Sequence, residues 1–312
     1  RGNSRNGAIP CVTILDWPGL PLRGYSDDIS RGPIPTMEFF KREIRTMSEF
    51  KQNMLTFYTE HVFKLDKHPI IAPPDGITAE EVRELSAYAR KHHVELVGNF
   101  QSFGHFHNIL RHEQYANLRE TGSVITPAKE ESYQFLDEVY SEICPAYESK
   151  LFNVNCDETW GLGEGPSKEL AAQIGVGGVY LRHMNRIHDM LRDKYGKRMM
   201  MWGDIALQHP DIIDQLAKDT ILLSWGYGAS ANYDRAIEPF VLEDIRVEGL
   251  QRTDPGTVFA ALPFRVGDSY SDDKAAAALR ALFATGLFSN VRIEVEGRVA
   301  VFIVEERPVI ES

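Results

Sequence analysis

What this 312-residue chain lacks narrows it first. It has three cysteines, Cys11, Cys144 and Cys156, too few and too scattered for a disulfide framework or a zinc knuckle. A single disulfide among them stays open. No unbroken apolar run approaches the roughly 18–20 residues that a membrane-spanning helix needs; the best, such as Val299–Val304, have the length of a strand. No apolar stretch follows Arg1-Gly2-Asn3-Ser4-Arg5, so no signal peptide is expected in the sequence as given. Lys and Arg form no block. Thirty-four basic against 45 acidic side chains leave a formal charge of −11, a surface that repels phosphate backbones, and nucleic acid is not an expected partner. Low-complexity segments and fixed-period repeats are missing too.

What is present is ordinary globular composition, 43% hydrophobic and 25% charged, with length for two domains or one large domain and an appendage. The first 240 residues repeat one rhythm: a short apolar run, a loop rich in Asp, Gly, His or Trp, then a long amphipathic stretch. Strands are expected at Leu22–Ser26, Met54–Tyr58, Glu95–Phe100, Leu151–Asn155, Arg198–Trp202 and Thr220–Trp225. Helices are expected at Thr36–Phe50, Thr78–His92, Lys129–Tyr147, Gly178–Tyr195 and Pro210–Ala217. Thr78-Ala79-Glu80-Glu81 has the form of a capping box. Six βα units in a row predict a parallel sheet with crossover helices, an incomplete (β/α)8 barrel two units short of closure.

From Val241 the pattern changes. Val241–Glu248 alternates apolar and polar residues as a half-buried strand does. Asp254–Leu262 and Ser271–Thr285 read as helices, and Val291–Val295 and Val299–Val304 as a hairpin turning at Glu296-Gly297. The order β-α-α-β-β predicts a small α+β domain over 241–312, following a first domain over 1–240 with no Pro/Gly/Ser-rich linker between them.

The polar residues that follow the strands carry the candidate chemistry. Phe152-Asn153-Val154-Asn155-Cys156-Asp157-Glu158-Thr159-Trp160 places adjacent carboxyl groups at the exit of an apolar strand. Two carboxyls in one low-dielectric pocket push their pKa values apart, so that one is ionised while the other holds a proton. A plain surface loop would also account for such a pair. Trp202 and Trp225 close the fifth and sixth strands, as flat walls for a sugar ring or as core filling. Arg23 offers a fork of donors to hydroxyl oxygens, or an ion pair with Asp27 and Asp28. His105, after Phe103-Gly104, is a candidate wall residue. His92, His93, His105, His107 and His112 raise a metal reading, but no His-x-x-x-His with a carboxylate on one helix face accompanies them, and neither metal nor cofactor is expected. Cys156 beside Asp157 reads as a packing residue, since a neighbouring carboxylate raises a thiol's pKa and opposes a nucleophilic role.

These residues carry a resemblance. Asp16-Trp17-Pro18 with Arg23-Gly24-Tyr25-Ser26-Asp27-Asp28-Ile29-Ser30-Arg31-Gly32 resembles the opening of the catalytic barrel of glycoside hydrolase family 20, the β-N-acetylhexosaminidases. Asn155-Cys156-Asp157-Glu158 resembles that family's strand-four signature, where Gly-Gly-Asp-Glu is usual. Met201-Trp202-Gly203-Asp204 and Ser224-Trp225 match its fifth and sixth strands. The resemblance implies that Glu158 is the general acid/base and that Asp157 orients a 2-acetamido group whose own carbonyl oxygen attacks the anomeric carbon. It implies further that Arg23 and Asp204 hold hydroxyls, that Trp202 and Trp225 wall the pocket, and that His105 lines it. The substrate would be a glycan with terminal β-linked N-acetylhexosamine. The family's seventh and eighth strands, which bring an acetamido-binding tyrosine and a further tryptophan, have no counterpart here.

A second resemblance begins where the first stops. Val241 to Ile310 resembles the first POTRA domain of the outer-membrane barrel-assembly protein of Gram-negative bacteria, most specifically at Ala278–Phe288 and Val304-Glu305-Glu306-Arg307-Pro308. It implies a periplasmic or envelope setting and an outer-membrane protein strand as partner, taken up by β-augmentation. The chain thus reads as a chimera, with three functions open: a hydrolase, a strand-binding module, or a non-catalytic barrel remnant with open sheet edges.

Overall fold

The structure, a computed structural model, describes residues 18–227 and 242–308 apart from Ser269, Ser271 and Gly297. Cys11, the Asp16-Trp17 pair and the junction at Tyr233–Val241 lie outside the described residues.

The first part runs β1 (Gly24–Asp28), α1 (Met37–Glu49), β2 (Met54–Tyr58), α2 (Ala79–Lys91), β3 (Glu95–Asn99), α3 (His107–Leu110), α4 (Glu130–Ile143), β4 (Leu151–Asn153), α5 (Lys168–Tyr195), β5 (Arg198–Trp202), α6 (Asp204–Gln208) and β6 (Ile221–Leu223). The six strands pair in chain order and all in parallel. They curl into part of a (β/α)8 barrel, as the rhythm of the sequence predicts.

Local chemistry explains the elements. Thr78 caps α2 by accepting from the Glu81 amide, while the Glu81 carboxylate accepts from the Thr78 amide at 2.9 Å, so two end donors are satisfied reciprocally. Helix α1 buries Phe40, Ile44 and Met47, the i, i+4, i+7 stripe of an amphipathic helix. Phe40 meets Phe57 of β2 with ring centroids 4.5 Å apart. Strand β2 is almost wholly buried because it has neighbours on both sides, whereas β1 is mostly exposed and β6 half-buried, each with one edge unpaired among the described residues.

Strand β1 lies later than expected, at Gly24–Asp28 rather than Leu22–Ser26, so Asp27 and Asp28 belong to the strand and not to the loop beyond it. Its pairing with β2 sets the start, with Gly24 opposite Met54. Pro210–Ala217 forms a 3-10 helix over Pro210–Gln215, and α6 precedes it as a five-residue helix too short to show a periodicity. Helix α5 begins ten residues before its expected start, because two helical stretches join across Gly175, whose φ is 75°. Cys144 and Cys156 are free, buried thiols.

The second part runs β7 (Asp244–Glu248), α7 (Pro255–Ala261), α8 (Asp272–Ala284), β8 (Phe288–Glu296) and β9 (Val299–Glu306). Its sheet has the order β7-β9-β8, with β9 parallel to β7 and antiparallel to β8. It has its own core, including Ile245, Val258, Phe264, Leu282 and Phe302. This is the expected β-α-α-β-β arrangement. Among the described residues, no helix is long and apolar enough to cross a membrane.

Candidate active site

Parallel strands send their outgoing loops to one end of the sheet. Past the end of β4, the backbone of Asn155, Cys156 and Glu158 takes the left-handed region, with φ of 58°, 61° and 49°. Among the described residues, six non-glycine residues have positive φ; these are three of them and His105, at 54°, is a fourth. Such backbone is costly, roughly 1–3 kcal/mol per residue, and persists where its surroundings hold it. Here the holds are explicit. The side chains of Asn155 and Asn99 bond each other, the Asn155 amide donating to Asn99 Oδ1 at 2.8 Å. The Cys156 backbone N–H donates to Gln101 Oε1 at 2.9 Å, and that of Glu158 to Asp204 Oδ2 at 3.2 Å. The Trp202 N–H donates to the Asn155 carbonyl at 2.9 Å.

The loop after β3 presses against this turn. A Cβ on Gly104 would stand 2.4 Å from the Asp157 carbonyl oxygen, so only glycine permits the approach. Gly104 thereby delivers His105, whose Nε2 lies 3.3 Å from Asp157 Oδ2 and 3.4 Å from Glu158 Oε2. The other Asp157 oxygen accepts from Gln101 Nε2 at 2.8 Å.

Burial pushes the Asp157 carboxyl upward, but the hydrogen bonds from His105 and Gln101 outweigh it and hold the group below the usual carboxylate range. The bond to Asp157 raises His105 against the effect of burial. Asp204 is raised by burial and further by the charge of Asp157. The Asp157 side chain is 16% exposed and that of Glu158 is 40% exposed. The arrangement therefore offers one fixed, ionised carboxylate and, beside it, one more exposed carboxyl within reach of a ligand.

A second group joins it. The Arg31 guanidinium lies over the Tyr58 ring at 4.7 Å, donates to Tyr58 Oη at 2.9 Å and pairs with the buried Glu60 at 3.2 Å. Tyr58 Oη also accepts from Gln101 Nε2 at 3.2 Å, which links the two groups. Behind the turn, the buried Glu120 carboxylate accepts from the backbone N–H groups of Gly163, Gly165 and Ser167 and from the hydroxyls of Thr126 and Ser167. It ties down the segment leading from Glu158 to α5.

Of the residues singled out from the sequence, Asp157, Glu158, His105 and Asp204 come together. Trp202 is half-buried at the end of β5, next to Gly203 and Asp204. Trp225, 42% exposed beyond β6, lies with its ring centroid 5.3 Å from that of Tyr227. Arg23 is a correction. It precedes β1, at the sheet's opposite end, and its guanidinium donates to the carbonyls of Leu20, Pro21 and Lys51. The arginine at the carboxyl end of the strands is Arg31, inside the same quoted motif. Cys156 packs as expected: burial, and then the charge of Asp157, push its thiol well up. Gln101, Tyr58 and Glu120 were not expected. No local pattern marks them: strand register brings Tyr58 and Gln101 to the site, and hydrogen bonds to the 163–167 segment fix Glu120 behind it.

Comparison with known proteins gives two matches that meet without a gap. Residues 20–239 match the family model described as glycosyl hydrolase family 20, catalytic domain, and residues 240–307 match that described as POTRA, surface antigen variable number repeat. Hexosaminidase D of Bos taurus is 27% identical over 184 residues, 54% of this chain and 53% of that protein. A beta-hexosaminidase of Vibrio furnissii is 23% identical, covering 72% of this chain and 43% of the relative. The chain thus spans about half the length of these relatives or less. Outer membrane protein assembly factor BamA of Neisseria meningitidis is 49% identical over 77 residues, 25% of this chain and 10% of that protein. Among solved structures, the chitobiase of Flavobacterium johnsoniae superposes with a TM-score of 0.64 at 20% identity, covering 84% of this chain and 44% of the other.

Proposed function

Residues 20–239 make this chain a member of glycosyl hydrolase family 20, and from that membership we propose that it removes terminal β-linked N-acetylhexosamine by substrate-assisted, retaining catalysis. The observation that carries the reading is the asymmetry of the pair: Asp157 is fixed by Gln101 and His105 and kept ionised, while Glu158 is the more exposed. Glu158, as general acid, gives its proton to the glycosidic oxygen as that bond breaks. The carbonyl oxygen of the substrate's 2-acetamido group forms the new bond to the anomeric carbon, and the Asp157 carboxylate accepts the acetamido N–H as positive charge develops there. Glu158, now a carboxylate, takes a proton from the water that opens the cyclic intermediate. Asp204 supports the turn by accepting from the Glu158 backbone. In this reading Arg31, with Glu60, holds ring hydroxyls, and Trp202 and Trp225 flank the sugar.

The expected outcome is turnover of a chromogenic N-acetyl-β-glucosaminide by the full chain, falling about 10²–10⁴-fold in Glu158→Gln. Absence of turnover in a wild type whose near-UV circular dichroism shows packed aromatics would leave the barrel part a non-catalytic remnant.

The second part supports a separate reading. The extent and identity of the BamA match, with the edges of β7 and β8 unpaired among the described residues, favour uptake of an outer-membrane protein strand by β-augmentation and a periplasmic or envelope location. Binding of such a β-strand peptide by the full chain, measured by fluorescence anisotropy, tests it; no binding removes it.

A further inference from the structure

The loops after β3 and β4 bring together one imidazole nitrogen and two carboxylate oxygens, from His105, Asp157 and Glu158, all within 4.8 Å of one another. We propose that these three side chains form a binding site for a single divalent ion of the zinc class, and that the ion, when bound, closes the sugar site.

The donor spacing supports this. Zinc lies about 2.0–2.2 Å from nitrogen and oxygen ligands in a tetrahedron, which sets neighbouring donors roughly 3.4 Å apart. His105 Nε2 is 3.3 Å from Asp157 Oδ2 and 3.4 Å from Glu158 Oε2. Two of the three edges of such a face are already in place, and Glu158 is exposed enough to adjust the third. A mixed nitrogen and oxygen set selects a transition ion over magnesium or calcium, which prefer six or more oxygens. Three part-exposed protein ligands leave a fourth position for water. The surrounding shell is ordered as metal sites require: Gln101 donates to Asp157 Oδ1 and so leaves Oδ2 facing His105, and Gln101 is itself fixed by the Cys156 amide. The chain's charge of −11 favours cation approach. Sequence spacing hides the site, because its ligands lie on two loops rather than on one helix face.

Closure rests on the hydrolase reading. An ion on both carboxylates takes the lone pairs with which Glu158 would carry a proton and Asp157 would accept an amide N–H, so zinc and sugar exclude each other.

Titration of the full chain with zinc against a chromogenic chelator reads binding without any need for turnover. One tight equivalent is expected, indifferent to excess magnesium. In His105→Gln or Asp157→Asn it should weaken by more than the ~10–100-fold that loss of even an outer-shell partner costs. Glu158→Gln, at the most exposed of the three ligands, serves if either of those variants fails to fold. No tight zinc in the wild type overturns the site. So does equal affinity in folded variants, which would move the ion elsewhere, for example to His188 between Asp189 and Asp219. Zinc binding with unchanged turnover would overturn closure alone, and zinc binding in a chain without turnover would sink the hydrolase reading while leaving the site.

Discussion

The six-stranded sheet and the three-stranded sheet bury similar side chains but present different surfaces. In the first, every strand points the same way, so Gln101 and His105 after β3, Asp157 and Glu158 after β4, and Asp204 after β5 arrive at one end although Gln101 and Asp204 are about a hundred residues apart. In the second, β9 runs parallel to one neighbour and antiparallel to the other, so its connections leave at both ends. Among the described residues, the His105, Asp157 and Glu158 group, with one ligand atom of each within 4.8 Å of the others, lies in the first part. Parallel order concentrates titratable groups; mixed order leaves edges and faces. The first suits bond-breaking and the second suits strand pairing.

Substitutions that act on one part and spare the other test this contrast. Glu120→Ala should have the largest effect on the first part. It removes the acceptor from the buried Ser167 N–H and hydroxyl and from the part-buried Gly165 N–H, at about 1–3 kcal/mol each where no water replaces the carboxylate. A loss of ~3 kcal/mol or more is expected in a denaturant melt, with peptide binding by the second part unchanged. Gly249→Ala addresses the second part. Its φ is 90° and a Cβ would stand 2.1 Å from the Val304 carbonyl oxygen, so about 1–3 kcal/mol should be lost from the β7–β9 pairing. Turnover should be retained; a matching loss of turnover would show that the two parts are coupled.

Glu43→Gln should give the smallest effect, and one that depends on pH. Burial, with the charge of Asp27 added, pushes the Glu43 carboxyl up to about 7. The folded state then binds this proton more tightly than the unfolded chain, so Glu43's contribution is full below about pH 4.5 and lost as pH rises through about 7. The glutamine variant should melt a few degrees higher than wild type near pH 8, at roughly 2–4 °C per kcal/mol, and alike near pH 4. A shift of equal size at both pH values would contradict the assignment.

Much of this was legible in the chain. Strands β2, β3 and β5 match their expected spans closely, because buried central strands are continuous apolar runs bounded by polar loops. Strand β1 was misplaced because its residues, Gly-Tyr-Ser-Asp-Asp, carry no apolar pattern, and only pairing with β2 defines it. Asp157, Glu158, His105 and Asp204 were found as polar residues in unusual places after strands. The same early register puts Arg23 inside the expected strand, although it precedes β1, while Arg31 lies beyond the strand's far end. Gln101, Tyr58 and Glu120 are common residues in unremarkable local sequence. Their roles come from partners 43 to 56 positions away along the chain, which periodicity does not register.

Strand β9 has a consequence for synthesis. It is the last of the three described strands to be made, yet it occupies the middle, and among the described residues β7 and β8 each pair with it and not with each other. On a ribosome delivering about 5–20 residues per second, the βα units can add to a growing sheet one after another. The second module must instead wait, with two unjoined ribbons, until residues 299–306 have emerged from the exit tunnel, and it then assembles in a single cooperative closure.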